Sequence, residues 1–180
     1  YGLDSSVADA NIVVFDFGGG TFDVALIRVE DGFFQVKDTD GNNWLGGKNL
    51  DHAIIQDLLI PYLQENYSID SYMNNDELKE LLNNALKNYA EEAKINLSFQ
   101  NSHHLGSELG EFPEDDEGEE MELDIEITQE DMKKTLGPIF QKSIDICKKL
   151  LERNNLNGNK VSSLILVGGP TYSTVLREML

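Results

Sequence analysis

Positive charge is scarce in this chain. Lys and Arg total 14 against 33 Asp and Glu, giving a formal net charge of −19 at pH 7 and a sequence pI near 4.3. A surface of that sign repels nucleic acid and anionic membrane, so neither is expected as a partner. Any phosphate ligand must then be held by backbone N–H groups and metal rather than by a basic patch. Cysteine is nearly absent. Cys147 alone excludes an internal disulfide, and a reducing compartment is compatible with it. It falls in a helical pattern with Ile139, Phe140, Ile146 and Leu150, as a buried structural thiol does. No apolar run approaches the roughly 18 residues that a bilayer span needs. Two common phosphate motifs are missing: there is no Gly-x-x-x-x-Gly-Lys-Ser/Thr, and no Gly-x-Gly-x-x-Gly opens a helix. The chain starts at Tyr1 without a methionine or a signal-like segment, so an excised piece of a longer protein is expected. Its 180 residues suffice for one domain or two small lobes with a real core.

What is present is a glycine cluster between two aspartates, Asp16-Phe17-Gly18-Gly19-Gly20-Thr21-Phe22-Asp23. Apolar runs Ile12–Phe15 and Val24–Ile27 flank it, which reads as strand, tight turn, strand. Glycines let such a turn take positive φ and let a bulky ligand approach the backbone. Successive N–H groups in a turn form an anion-binding concavity. Carboxylates beside a phosphate cradle repel it unless a hard divalent cation lies between, and Mg²⁺ is the usual one. The residues thus suggest a metal–nucleotide site, although glycine-rich hairpin turns also occur without a ligand. A second glycine turn echoes the first. The apolar run Ser163–Val167 reads as a buried strand entering Gly168-Gly169-Pro170-Thr171, and Tyr172–Leu180 reads as a helix.

Between these motifs the pattern predicts strands over Asn11–Phe15, Thr21–Val29 and Phe33–Asp38, with Asp31-Gly32 as a hairpin turn. After the paired-glycine turn Leu45-Gly46-Gly47, a helix is predicted from about Asn49 to Tyr67, kinked or ended by Pro61. Another is predicted from about Asp76 to Ser98, opened by an Asn74–Glu77 capping box. Its apolar stripe runs through Leu78, Leu82, Ala85, Leu86, Tyr89, Ala93 and Leu97. Glu91, Lys94 and Ser98 share a different face, read by pattern alone as solvated with an i,i+3 ion pair. From Glu108 to Asp131 there are thirteen acidic residues and no Lys or Arg. Pro113–Glu119 within it reads as a solvated, mobile loop, and Met121–Ile127 as a half-buried strand. His103-His104 lies in a loop-like stretch without partners at ligand spacing. A long helix is predicted from Thr128, capped with Asp131, to about Asn154, bent at Pro138.

With these residues in hand the chain resembles the seventy-kilodalton heat-shock chaperones, the DnaK family, over the second half of their ATPase domain. The matching pieces are Tyr1-Gly2-Leu3-Asp4, Phe15–Val24, Leu45-Gly46-Gly47 with Leu50-Asp51, Glu91-Glu92-Ala93-Lys94 with Leu97-Ser98, and Leu166-Val167-Gly168-Gly169. The resemblance implies an α/β fold: an actin-like ATPase (ribonuclease H-like) lobe with a mixed sheet and an inserted helical α+β subdomain. Residues 1–47 and 128–180 would form the sheet-based subdomain, and 48–127 the insertion. It implies ATP/ADP and Mg²⁺ as cofactors. Gly18, Gly19 and Thr21 would contact the β- and γ-phosphates. Asp16 and Asp23 would position Mg²⁺, its waters or the attacking water, so Asp16, Thr21 and Asp23 form the catalytic set. Gly46 and Gly47 would lie near the nucleotide. Glu91, Lys94 and Ser98 would line the adenosine pocket, which reverses the solvated-face reading. Gly168 and Gly169 would approach the ribose and α-phosphate. Tyr172 stands where the family usually has an arginine packed against adenine, and a tyrosine ring can stack there. Lys48 stands where an acidic residue is usual.

The family's reaction is ATP hydrolysis coupled to binding and release of unfolded polypeptides. The implied partners are polypeptide clients, a co-chaperone and a nucleotide-exchange factor, and the implied location is cytoplasmic. The family's first phosphate loop and catalytic lysine lie upstream of the matched part, and its peptide-binding domain lies downstream. This chain alone is therefore expected to fold without turning over ATP. Two other readings stand beside it: another phosphotransferase or phosphatase of the actin and sugar-kinase superfamily, and a non-enzymatic interaction module.

Overall fold

A computed structural model describes residues 9–180; the Tyr1–Asp4 match lies outside the described residues. The chain divides into two compact units. One runs up to Lys48 and takes in Ile139–Tyr172 and Met179–Leu180; the other holds Asn49–Pro138 and Ser173–Glu178.

The first unit is built on a four-stranded sheet. Its strands are β1 (Ala10–Phe17), β2 (Phe22–Glu30), β3 (Phe33–Asn42) and β6 (Ser163–Val167), in the order β3-β2-β1-β6. The β1/β2 and β2/β3 pairs are antiparallel and β1/β6 is parallel, so the sheet is mixed. Apolar residues alternate along β1 and β2 and define one buried face. Phe15, Phe17 and Phe22 are fully buried there, with Phe15 and Phe22 ring centroids 4.6 Å apart. The long helix α5 (Gln129–Arg153) covers this face through Phe140, whose ring meets Phe17 edge-on at 5.5 Å. Asp31 and Gly32 turn β2 into β3 with φ of 51° and 76°, the left-handed pair that a two-residue hairpin requires. Arg153 fastens the end of α5 to β3: its Nε donates to Asp38 at 2.7 Å and its Nη1 to Asp40 at 2.6 Å.

One expectation fails in this unit. Strand β6 is not buried; Leu164 and Val167 are each 40% exposed. Among the described residues it is an edge strand paired only with β1, and an apolar run does not reveal how many neighbours cover it. The predicted closing helix is present with trimmed ends: α6 (Thr174–Met179) follows a 3₁₀ turn over Gly169–Tyr172. Cys147 is buried as expected, and burial pushes its thiol pKa up, which leaves it inert.

Helices α1 (Gly47–Ile54), α2 (Ile60–Asn66), α3 (Asp70–Asn74) and α4 (Asp76–Asn96) precede the hairpin of β4 (Ser102–Gly106) and β5 (Asp124–Thr128). Pro61 does not break the first helical run. A π-helical turn over Ile55–Leu59 leads into α2, and Pro61 sits in the first turn of that helix. The cap of α4 is Asn75, not Asn74: its side chain accepts from the N–H groups of Glu77 and Leu78. Thr128 and Asp131 do form the reciprocal cap of α5. Leu59, Leu63, Leu82, Leu86, Leu97, Met121 and Leu136 are buried in the second unit.

The acidic stretch is anchored rather than a free loop. The buried Asp115 carboxylate accepts from the N–H groups of Ser68, Glu117 and Glu119 at 2.8–3.0 Å, and these bonds hold its pKa below the usual value. Tyr72 donates its hydroxyl to the Glu114 carbonyl at 2.6 Å. His103 and His104 lie on β4, not in a loop. Their Nε2 atoms meet Glu92 at 2.8 Å and Asp124 at 2.6 Å.

Candidate functional site

Strand period places Asp16 and Asp23 together. Each is flanked by buried residues, and the two are direct cross-strand partners, so both carboxylates leave the sheet on the face opposite Phe17 and Phe22. Like charges directly opposed destabilise a sheet unless a cation lies between them. Among the described residues no third Asp, Glu, His or Cys joins them to complete a protein cage. Two carboxylates with open positions suit Mg²⁺, which keeps its waters and takes its remaining ligands from phosphate.

The four-residue turn Gly18–Thr21 closes on a bond from the Gly18 N–H to the Thr21 carbonyl at 2.8 Å. The expected positive φ is absent at all three glycines. Close approach is required of Gly46 instead. A Cβ on Gly46 would stand 2.6 Å from the Gly20 backbone, whereas one on Gly19 or Gly20 would meet nothing within 4 Å. The turn is therefore packed tightly from the Gly46 side and open above Gly19 and Gly20. Gly47 and Lys48 complete the support: their N–H groups donate to the carbonyls of Gly18 and Gly19 at 2.9 and 2.8 Å. The N–H groups of Gly19, Gly20 and Thr21, and the Thr21 hydroxyl, donate to nothing among the described residues. Consecutive unclaimed donors of this kind form an anion cradle.

Gly168 needs its glycine on two counts. Its φ is +96°, and a Cβ there would lie 2.1 Å from the Phe17 carbonyl oxygen and 3.4 Å from Asp16 Oδ1. The end of β6 is thus pressed against the end of β1 beside the Asp16 carboxylate. Thr171 fixes the turn, its hydroxyl donating to the Gly168 carbonyl at 2.7 Å. Gly169 is open, and Tyr172 is 56% exposed. A groove of about 370 Å³ in this unit, lined by Ile144, Cys147, Leu151 and Leu164, shares no residue with the glycine turns.

In the second unit, the predicted i,i+3 ion pair of α4 is not formed. Lys94 instead donates to Asp51 of α1 at 2.6 Å, both side chains being largely covered. Ser98 donates its hydroxyl to the Lys94 carbonyl at 3.0 Å, and Glu91 is exposed without an ion pair among the described residues. Sequence reasoning missed the roles of Gly20, Gly41 and Asp51. A Cβ on Gly41 would lie 2.9 Å from Asp23 Oδ1, so this glycine leaves room for that carboxylate. Its Asp-Gly-Asn-Asn setting reads as an ordinary turn and gives no warning of this.

A family model described as Hsp70 protein matches residues 1–180. The chain belongs to the Hsp70 family. Heat shock protein hsp-6 of Caenorhabditis elegans is 30% identical over 169 residues, which cover 94% of this chain and 24% of that protein. This Hsp70 chain thus spans about a quarter of the length of the curated relative it matches. Membership assigns an actin-like ATPase fold, and the mixed α/β architecture with its mixed sheet is consistent with it. No described helix is long and apolar enough to cross a membrane.

Proposed function

We propose that this chain supplies the second lobe of the nucleotide-binding domain of an ATP-hydrolysing chaperone. In that role it would drive binding and release of unfolded polypeptides together with a co-chaperone and an exchange factor. The observation that carries the reading is the meeting of two features. Three consecutive N–H donors are unclaimed at Gly19–Thr21, and two carboxylates stand opposed on the strands leading into that turn. One feature calls for an anion and the other for a cation; a magnesium nucleotide brings both.

In this reading the Gly18–Thr21 backbone cradles the β- and γ-phosphates, and Thr21 adds a hydroxyl. Asp16 and Asp23 hold Mg²⁺ or orient its waters and the attacking water. When bound, Mg²⁺ supplies neutralisation of the phosphate charge. Gly168 and Gly169 let the ribose and α-phosphate approach. Glu91, Lys94, Ser98 and Tyr172 are proposed adenosine contacts on the strength of motif order, with Lys94 held in place by Asp51. Phosphoryl transfer needs positioning and electrostatic stabilisation on all sides of the transferred group. The residues here serve one side of it, so this chain alone should show negligible turnover.

The test is steady-state ATP hydrolysis by the intact protein, with and without an extended apolar peptide, beside the isolated chain. Hydrolysis stimulated by peptide, absent from the isolated chain, is the expected result. Hydrolysis indifferent to peptide would point to another phosphotransferase or phosphatase of the superfamily. An intact protein that neither binds nor hydrolyses nucleotide would leave an interaction module.

A further inference from the structure

We propose that Lys48 is a phosphate-directed cation, reaching over the glycine turn to the phosphate-bearing part of the nucleotide; the inference rests on the nucleotide reading above.

Three observations place it there. The Lys48 N–H donates to the Gly19 carbonyl at 2.8 Å, and the neighbouring Gly47 N–H donates to that of Gly18 at 2.9 Å, so its backbone is fixed against the turn. Gly46, just before, tolerates no side chain because Gly20 backbone atoms lie 2.6 Å from where its Cβ would be. The Lys48 side chain is exposed and forms no ion pair among the described residues. A lysine stem extends about 6 Å from its Cα. That length exceeds the 2.8 Å between the Lys48 nitrogen and the Gly19 carbonyl, and a Cβ on Gly19 or Gly20 would meet nothing within 4 Å.

The start of α1 does not itself bind the anion here. Its first two N–H groups are already spent on the Gly18 and Gly19 carbonyls. The positive group this segment still offers is the ammonium. The surroundings give it a purpose: the chain carries −19 net charge, and the carboxylates Asp16 and Asp23 stand opposed on the strands that lead into the turn. A charge-assisted contact to phosphate offsets that repulsion.

The experiment uses the intact protein and compares wild type, Lys48→Gln, Lys48→Arg and a charge-matched control, Lys37→Gln. Lys37 lies on β3, where its ammonium donates to Gln35 at 2.8 Å. Calorimetry reads the affinity for Mg·ATP, Mg·ADP and adenosine, and melting of the apo proteins reports folding. Lys48→Gln should weaken Mg·ATP about tenfold, with adenosine unchanged and Lys48→Arg retaining most of the affinity. Lys37→Gln should bind as wild type. Unchanged Mg·ATP affinity in Lys48→Gln, an equal loss for adenosine, or an equal loss in Lys37→Gln would each overturn the proposal. Should Lys48→Gln fail to fold, Lys48→Met is read in its place on the same criteria. Wild type that binds no nucleotide would overturn the nucleotide reading itself, an outcome distinct from all of these.

Discussion

At the scale of single residues, the two aspartates of the glycine hairpin stand in a conflict that a ligand resolves. Removing one carboxylate relieves the repulsion in the empty protein and removes a cation ligand in the loaded one. Asp23→Asn should therefore hold or raise the apo melting temperature while abolishing the further rise that Mg²⁺ and ATP give wild type together. Differential scanning fluorimetry reads both; a variant that keeps the full nucleotide shift would remove Asp23 from the site. Gly168 makes a different demand. Gly168→Ala should destabilise the chain by at least about 3 kcal/mol, since it combines a left-handed φ with overlap on the Phe17 carbonyl. Urea unfolding of that variant checks it. These residues were legible because strand period and glycine clustering are local signals. Lys94–Asp51 was not, since its partners are 43 positions apart and α4 alone offered a nearer acid in Glu91.

At the scale of elements, capping and anchoring decide where segments begin and what stays put. Asn75→Ala should cost about 1 kcal/mol by loss of the cap that serves the Glu77 and Leu78 N–H groups. The acidic segment is pinned by Asp115, and Asp115→Ala should expose residues 108–122 to proteolysis while the helices survive. Mass spectrometry of the early cleavage products distinguishes that from global unfolding. Acid adds a second anchor to the test. Hydrogen bonds from Arg153 and Asn154 hold the Asp38 carboxyl well below its usual range. A depressed carboxylate stabilises the fold above its unfolded pKa and loses that contribution as pH falls through the folded value. The tie between α5 and β3 should thus persist at neutral pH and weaken in strong acid, and Asp38→Asn should flatten that part of the acid-unfolding curve. Helices and hairpins were read correctly where periodicity and turn chemistry were strong. The Asp115 anchor was not, because an acidic run reads as solvated until Ser68, 47 positions away, is known to donate to it. The π turn was likewise hidden, because Pro61 signals a kink or an end without saying what form the preceding turn takes.

At the scale of the whole molecule, charge dominates. A net charge of −19 stores self-repulsion that salt screens, so melting temperature should rise from low to physiological ionic strength even without ligand. The mixed sheet was legible through the family resemblance, but not the exposure of its β6 edge, which depends on neighbours that no local pattern names. That edge has a further meaning in time. β1 is among the first described segments to be made, yet its parallel partner arrives at the far end, with Asn11 bonded to Ser162 across 151 positions. Loop closure over such a distance is slow. A growing chain must carry the β1 edge without its β6 partner until the residues 151 positions further on are made. That interval leaves an apolar edge open to holdases during translation, so the yield of this chain in a cell should track elongation rate and holdase supply more than the stability of the finished fold.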